Sequence, residues 1–460
     1  MKDVEVASRA LTSDPPGGTT RGMPRLVIRD ARPWPVDQEL HGPATVVVEG
    51  DRIAEVTRAA VAARPGDWVI EARGRLLLPG FVDAHAHVTR RLAAGLGDGR
   101  AYPKGHPQLE EPLRGRFERA LQMPDVAAAV RLALCEAALA GTTTIFEMLR
   151  APGCAAGSLD AVGEAAREVG LRAVVAYGAA ERDGAAAVGI QECTRFAGEA
   201  AAERFGPLVR GTLGLSHPET VSTSLLGNAA QLAHTAGVQL HASETEEELA
   251  EAFQAHGKRG LERLAEIGLI GASTVAAHGN HLNRRECEIL AEIGGFCAFT
   301  PRAALLAEER PPRLEAAVDA GAYAVLGTDG LGPSVRAEIP WALALWRSEA
   351  RPGAQQGYYA IERAAVEAGS RLMARFFGCQ AGLVAPGHVA DLVLLDHRPA
   401  TPMVPEAMCG QLALGIAEAR AAWTIVAGRV LVREGNLLTA DVGEAAARAG
   451  ERAAELWKRL

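Results

Sequence analysis

The stretch LLLPGFVDAHAH, residues 76 to 87, joins an apolar run to two histidines separated by a single residue. A Pro-Gly step at Pro79 and Gly80 interrupts the run, and the residues after it have the composition of a buried strand. Alternate residues of a strand project from the same face, so His85 and His87 point to the same side. The pattern predicts a strand whose carboxyl end presents two imidazoles, although such a pair is also compatible with two surface histidines near a loop.

Further runs of β-branched and apolar residues follow this strand, separated by helical patterns such as 122 to 140, 158 to 169 and 283 to 293. The strand candidates are LPGFVDAH, TTTIFEM, RAVVAYG, VRGTLGLS, GVQLHA, STVAAHG, FCAFT and AYAVLGTD. Eight strands that alternate with helices are the count of a (β/α)₈ barrel. The sequence therefore predicts an α/β fold of this TIM-barrel type.

β-rich segments lie on both sides of the predicted barrel. LVIRDA and ATVVVEGDRIAEV precede it, with Gly50 and Asp51 as a hairpin turn, and HVADLVLLD and AAWTIVAGRVLVREG follow it. The barrel is thus predicted to be inserted into a small composite β-sandwich. The predicted organisation is a flexible tail at 1–22, the β-sandwich at 23–77 and 383–440, the barrel at 78–382 and a C-terminal amphipathic helix at 441–460.

The composition is that of a globular protein, with 48% apolar and 23% charged residues over 460 positions. A net charge of -8 without a basic run disfavours nucleic acid and anionic membranes as partners. The seven cysteines are odd in number and never spaced as CxxC, which disfavours a disulfide framework. With no leader or long apolar run, we expect a cytoplasmic protein that acts on a small molecule.

Polar residues end several of the predicted barrel strands. His241 ends the fifth strand, His278 the sixth and Asp329 the eighth. Each alone is typical of a hydrogen-bonded structural histidine or a turn aspartate. Because barrel active sites lie at the carboxyl ends of the strands, these residues and the pair at His85 and His87 should converge on one rim. That convergence predicts a metal site.

A set of longer motifs adds a resemblance to these residue patterns. The motifs are VDAHAH after LLLPG, HASE at 241–244, AAHGNHL at 276–282, LGTDG at 326–330 and PGHVADLVLLD at 386–396. Together they resemble the amidohydrolase superfamily in its cytosine deaminase and chlorohydrolase branch. GKRGLERLAEIGLIG, ATPMVP and the ending from VLVREGNLLTADVG onward are similar to the SsnA-type aminohydrolases of that branch. The resemblance covers nearly all of the chain from Leu26.

The resemblance implies one divalent metal ion per subunit, held by His85, His87, His241 and Asp329. Zinc is favoured, and some relatives use iron. Binuclear relatives need a bridging Lys or Glu at the end of the fourth strand. That strand, VRGTLGLSHPE, has no lysine and offers His217, a position of substrate contact in this branch, so a mononuclear site is favoured over one that recruits Glu219.

The resemblance also implies catalytic roles for Asp329, His278 and Glu244. A metal with an open position lowers the pKa of bound water, Asp329 takes its proton, and His278 stabilises the attacking oxygen or the intermediate. Glu244, in an HxxE element, protonates a ring nitrogen and the leaving amine. The alternative for Glu244 is a solvated residue in the first turn of a helix. His217 serves either substrate contact or support of the site, and His281 is expected to be structural.

The predicted substrate contacts are His217, Glu244, Arg90 and Arg302. The chain reads FTPRAA at 299–304 where the branch commonly has an Asn-Pro-x-Ser-Asn element, and Arg90 and Arg91 begin a polar loop that runs through Lys104. Guanidinium groups there would bind an anionic or strongly polar substrate. The alternative is that they point to solvent or pair with acidic residues, for which the candidates are Glu110, Glu111 and Glu147.

The function predicted from these features is hydrolytic deamination of a small nitrogen-rich heterocycle other than guanine or cytosine. The alternatives on the same scaffold are a chlorohydrolase, an N-alkylamine hydrolase and a cyclic amide or amidine hydrolase. A non-catalytic scaffold protein is disfavoured because the full ligand set is present. A homodimer is a family-level expectation.

Overall fold

The computed structural model describes residues 24–34, 42–96, 115–307, 312, 314–349, 360–398, 400–402, 404 and 407–460. The predicted tail at 1–22 lies outside this part of the chain. The strands are β1 (Leu26–Pro33), β2 (Ala44–Glu49), β3 (Arg52–Thr57), β4 (Trp68–Glu71), β5 (Leu76–Pro79), β6 (Phe81–Ala86), β7 (Thr142–Leu149), β8 (Arg172–Ala179), β9 (Val209–Gly211), β10 (Leu213–Leu215), β11 (Val238–Ala242), β12 (Thr274–His278), β13 (Phe296–Phe299), β14 (Tyr323–Leu326), β15 (Leu392–Leu395), β16 (Ala421–Val426), β17 (Arg429–Arg433) and β18 (Asn436–Leu437).

Helices connect and cover these strands. They are α1 (Arg116–Ala120), α2 (Met123–Leu139), α3 (Ser158–Val169), α4 (Ala186–Ala201), α5 (Thr223–Ala236), α6 (Glu246–His256), α7 (Gly260–Glu266), α8 (Arg284–Ile293), α9 (Pro301–Leu306), α10 (Leu314–Asp319), α11 (Glu338–Glu349), α12 (Ala368–Phe377), α13 (Met408–Gln411) and α14 (Val442–Trp457). Within the described ranges, none of them combines the length and apolar character needed to cross a lipid bilayer.

Strands β6 to β14 form the predicted barrel. They pair in parallel and in chain order, and the fourth position is divided between β9 and β10. The Asp329 amide donates to the His85 carbonyl at 3.0 Å, and Thr328 donates its amide and hydroxyl to Asp83 at 3.0 and 2.7 Å. These bonds join the last strand to the first, which confirms the (β/α)₈ fold and brings the two ends of the predicted site together.

The first barrel strand begins later than the sequence pattern predicts. Pro79 ends β5, which belongs to the flanking sheet and pairs with β15, and β6 starts at Phe81. Gly80 lies at the joint, where a Cβ would stand 2.2 Å from the side chain of Thr143. The Pro-Gly step is therefore the passage between the two sheets, because only glycine lets the chain pass so close to β7.

The flanking strands form one mostly antiparallel sheet in the order β18-β17-β16-β15-β5-β1-β2-β3, with β4 beside β1. Segments from before and after the barrel share its core, in which Leu26, Ile28, Leu392 and Ile425 are buried. The hairpin of β2 and β3 turns at Gly50 as predicted. The barrel is thus inserted into a composite β-domain, as the sequence predicts.

The C-terminal helix α14 packs against α2, the helix after the first barrel strand. Asp441 caps its start by accepting a hydrogen bond from the Glu444 amide at 3.0 Å. Arg452 donates to the fully buried Asp125 carboxylate at 2.8 Å, and Arg459 pairs with the same carboxylate. The end of the chain therefore stabilises the wall of the barrel behind its first strand.

Candidate metal centre and active site

The barrel brings the four predicted metal ligands together at the carboxyl ends of its strands. His85 lies in β6, His87 follows it, His241 lies in β11, and Asp329 follows β14. Each of the four is at most 3% exposed. Both His85 Nε2 and His87 Nε2 face Asp329 Oδ1, at 3.6 and 3.5 Å. The convergence predicted from four separated positions is therefore present in the fold.

Three imidazoles of this group surround a common point. The donor atoms of His85, His87 and His241 lie within 4.8 Å of one another, and His87 Nε2 stands 3.2 Å from His241 Nε2. The buried Nε2 atom of His85 makes no hydrogen bond among the described residues. Nitrogen atoms buried around one point, with a carboxylate beside them, have the chemistry of a divalent-metal donor set.

The orientation of His87 is fixed from behind. Its Nδ1 lies 2.6 Å from the carbonyl oxygen of Met148, at the end of β7, and donates its proton there. This bond selects the tautomer in which Nε2 carries the lone pair that faces His241. The neighbouring carboxyl of Glu147 accepts a hydrogen bond from the Val88 amide at 3.0 Å. Both bonds tie the segment after β6 to β7.

The protonation states of the group suit metal binding. Burial and the nearby His278 hold the pKa of His241 well below its usual range, which favours the neutral imidazole. Burial alone would raise the pKa of Asp329, but the positive charge of Arg90 and the adjacent imidazole of His85 outweigh it and hold that pKa well below its usual range. Neutral imidazoles and an ionised carboxylate are the forms that bind a cation.

The backbone is strained at the strand ends that carry the site. Ser243, His278 and Asp329 have φ values of +51°, +69° and +52°. Residues with side chains rarely adopt this left-handed region, and they keep it only where surrounding contacts determine the conformation. The left-handed residues His278 and Asp329 thus lie at the strand ends, where their side chains join the cluster of buried imidazoles.

Glu244 lies beside the predicted metal ligands rather than on a solvated helix turn. Its side chain is 6% exposed, and its Oε2 atom lies 3.5 Å from His241 Nδ1 and 3.6 Å from His278 Nε2. The Nδ1 atom of His278 in turn lies 3.1 Å from the hydroxyl of Thr300. A carboxyl group in this position is able to exchange protons with a molecule bound at the rim.

His217 and His281 differ in their distance from the centre. The His217 ring is centred 6.3 Å from that of His241, and its Nδ1 faces Glu219 Oε1 at 3.3 Å. Glu219 thus orients His217. The backbone of His281 donates to the carbonyl of Ser243 at 2.9 Å and supports the corner that precedes Glu244.

Each arginine singled out in the sequence pairs with a carboxylate. Arg90 Nη1 lies 2.5 Å from Asp329 Oδ2 and 2.7 Å from its carbonyl oxygen. Arg91 binds Glu136 through two hydrogen bonds of 2.5 and 2.8 Å, and Arg302 Nε donates to Glu338 at 2.6 Å. Their partners are therefore carboxylates of this chain, and the partner of Arg90 is the predicted metal ligand Asp329. Lys104, Glu110 and Glu111 lie outside the described residues.

Sequence reasoning missed several acidic residues that support the site. Asp83, 3% exposed, binds Thr328, and burial raises its pKa to about 7 against the hydrogen bonds from Thr328 and His85. Burial likewise raises the pKa of Glu147, at the end of β7, well above its usual range. Asp83 could have been found from the sequence, because in VDAHAH it shares the strand face of the two histidines.

Residues 76–428 match the family model described as Amidohydrolase family. The chain belongs to this family. The resemblance stated from the motifs is thereby confirmed, as is the expectation of a hydrolase. The match spans β5, the barrel, β15 and β16, and all the rim residues described above lie inside it.

Among curated relatives, two deaminases are similar over most of this amidohydrolase. The 5'-deoxyadenosine deaminase of Methanopyrus kandleri is 28% identical over 420 residues, covering 87% of this chain and 91% of the relative. The 5-methylthioadenosine/S-adenosylhomocysteine deaminase of Halobacterium salinarum is 29% identical over 431 residues, covering 90% and 95%.

Solved structures share the fold at lower identity. An adenosine deaminase from Xanthomonas campestris with bound zinc superimposes with a TM-score of 0.78 at 22% identity, covering 94% of this amidohydrolase and 98% of that chain. A triazine hydrolase from Arthrobacter aurescens gives 0.78 at 20% identity, covering 94% and 99%. These likenesses concern the architecture, a barrel combined with a flanking β-domain.

Proposed function

We propose that this amidohydrolase uses a divalent metal ion to remove the amino group of a 6-aminopurine nucleoside as ammonia. The observation that carries the proposal is the Glu244 carboxyl, 3.5 Å from His241 and 3.6 Å from His278. Deamination needs a proton donor at this position, since the amino group leaves easily only when protonated. The two curated deaminases described above support an adenine nucleoside as the substrate.

His85, His87, His241 and Asp329 would hold the metal ion. Three imidazole nitrogens and a carboxylate suit zinc, and iron is the alternative. The positions of the ring nitrogens fit such an ion. The Nε2 atoms of His87 and His241 face each other at 3.2 Å, and the buried Nε2 of His85 has no hydrogen-bond partner among the described residues. When bound, zinc lowers the pKa of a coordinated water toward neutrality.

Asp329, His278 and Glu244 would each have a separate role in the reaction. Asp329, kept ionised by Arg90, takes a proton from the attacking water. His278 stabilises the negative charge that develops on the attacking oxygen. Glu244 protonates the ring nitrogen next to the reacting carbon, recovers a proton from the hydroxyl formed on that carbon, and passes it to the departing amine. The proton held by Asp329 then returns to Glu244. A C–O bond forms as the C–N bond breaks, so one water is consumed, and the amine leaves as ammonia with the transferred protons.

Substrate contacts complete the proposal. His217, oriented by Glu219, would contact the ring, as would Glu244. Arg90 and Arg302 stay predicted contacts for a polar substituent of the substrate. In the structure, Arg90 binds Asp329 and Arg302 binds Glu338. The cytoplasmic location and the homodimer also stay predictions.

Ammonia release across a substrate panel tests the proposal. The panel contains 5'-deoxyadenosine, 5'-methylthioadenosine, S-adenosylhomocysteine and adenosine, with guanine, cytosine and a chlorinated triazine for comparison. We expect ammonia and the 6-oxopurine product in equal amounts from at least one adenine nucleoside, and no efficient turnover of guanine or cytosine. Chloride release from the triazine without ammonia from any nucleoside would replace deamination by the chlorohydrolase alternative.

A further inference from the structure

The corner between β11 and α6 carries Glu244, and other side chains hold its backbone on both sides. Glu248 accepts two hydrogen bonds, from the Ser243 amide to Oε1 at 3.0 Å and from the Glu244 amide to Oε2 at 2.6 Å. Asn280 Nδ2 donates to the carbonyl oxygen of Glu244 at 3.0 Å. The peptide groups before and after the Glu244 side chain are therefore both fixed.

Glu248 departs from the usual arrangement at a helix start. Helix α6 follows Thr245, whose side chain accepts a hydrogen bond from the Glu248 amide at 3.0 Å. In a capping box, the glutamate at this third position reaches back to the amide of the capping residue itself. The Glu248 carboxylate instead reaches past Thr245 to Ser243 and Glu244. It thus serves the strand-to-helix corner rather than the first turn of the helix.

The corner is also strained, which makes its anchoring contacts consequential. Ser243 has a φ of +51°. Its carbonyl accepts a hydrogen bond from the His281 amide at 2.9 Å, and its hydroxyl donates to Glu286 at 3.0 Å. A residue with a side chain is strained in the left-handed region, so the corner would relax if its anchors were removed.

We propose that Glu248 is a positioning residue of the active site. By binding the amides of Ser243 and Glu244, its carboxylate keeps the Glu244 carboxyl between His241 and His278. The inference rests on the proton-transfer role proposed for Glu244. Displacement of a proton donor by about 1 Å lowers the rate about a hundredfold. Loss of a positioning residue should therefore have a measurable effect on kcat.

Glu248→Gln tests the proposal with a side chain of the same size. A glutamine has one acceptor oxygen and an NH₂ group that cannot accept, so one of the two amides loses its partner. We expect kcat on the best nucleoside to fall at least about tenfold, with KM within about threefold and metal content unchanged. The matched control is Glu247→Gln, which makes the same substitution at an exposed position of the same turn and should keep the wild-type kcat.

A double-mutant cycle separates positioning from general structural support. If Glu248 acts through Glu244, then Glu248→Gln should lower the residual rate of a Glu244→Gln protein by less than about twofold. The same loss in both backgrounds, a wild-type kcat in Glu248→Gln, or a rate loss matched by loss of metal would overturn the inference. Full activity of Glu244→Gln alone would reject the proposed role of Glu244 itself, and with it the basis of the inference.

Discussion

The Nε2 atom of His87 lies 3.2 Å from the Nε2 atom of His241, although the two residues belong to the first and fifth positions of the barrel. The other ring nitrogen of His87 is committed to the Met148 carbonyl. Two lone pairs that face each other at this distance repel unless a cation or a proton lies between them. Burial keeps His241 neutral, and with its one proton on Nδ1, 3.5 Å from Glu244, its Nε2 offers a lone pair to a metal ion as that of His87 does.

Elemental analysis of protein purified without chelator should therefore find about one equivalent of zinc or iron per chain. His241→Ala should retain less than about a tenth of that content, since the loss of one ligand strongly weakens a four-ligand site. The control is His234→Ala, which removes an exposed imidazole from α5. Equal metal content in the two variants would contradict the predicted site.

Glu244→Gln should abolish proton transfer without disturbing the fold. The glutamine keeps the shape of the side chain but cannot deliver a proton, so kcat should fall at least about a hundredfold, with metal content and melting temperature unchanged. Glu246→Gln, in an exposed position two residues later, is the matched control and should behave as wild type. Near-native turnover in Glu244→Gln would leave deamination without its proton donor.

Arg302→Ala separates the predicted substrate contact from the ion pair that the structure contains. The Glu338 side chain is only 1% exposed, and Arg302 is its cationic partner. Loss of that partner should lower the free energy of unfolding by about 2 to 3 kcal/mol.

A rise in KM of about tenfold or more would support substrate contact. An unchanged KM would assign the arginine to Glu338 alone. Arg284→Ala, in which a highly exposed pair is broken, controls for surface charge.

Glu338 should make stability depend on pH. Burial raises its pKa from an ordinary 4.5 to about 7, against the opposing charge of Arg302. The folded state then binds more protons than the unfolded state between these values, so the stabilising contribution is complete below pH 4.5 and is lost as the pH rises through 7. Denaturant unfolding of wild type and Glu338→Gln at pH 5 and pH 8 measures this contribution.

Between pH 5 and pH 8, we expect the free energy of unfolding of wild type to fall by more than that of Glu338→Gln. The difference between the two decreases should be at most about 3 kcal/mol. Other acidic groups titrate equally in both proteins, so they cancel in the difference. Glu292→Gln, at an exposed position of α8, should keep the wild-type slope. Parallel slopes for wild type and Glu338→Gln would show that the Glu338 carboxyl has an ordinary pKa in the folded protein.

The barrel and the positions of the predicted metal ligands could be inferred from the sequence because their signals are local. Apolar runs alternating with helical patterns mark the strands, and the period of two along a strand places His85 and His87 on one face. The ends of parallel strands meet on one rim, so His241 and Asp329 could be assigned to the same site from their strand positions alone. Glu244 required the resemblance, since an acidic helix start explains it equally well.

The partners of charged side chains could not be predicted from local sequence patterns. Arg302 and Glu338 are separated by 36 residues, and no local pattern connects them. The joint at Gly80 was likewise read as part of one strand, because its close approach to Thr143 depends on how two sheets meet. Glu248 has the spacing of a capping-box residue relative to Thr245, and only the fold shows that its side chain reaches the amides of Ser243 and Glu244.

The sequence by itself determined the barrel, the composite β-domain and which side chains end the strands, since periodicity and strand order act through neighbours along the chain. The tertiary structure alone decided which charges neutralise one another and which backbone amides hold Glu244. Those choices depend on distances of a few ångströms between residues far apart in sequence, where burial and geometry together select the partner.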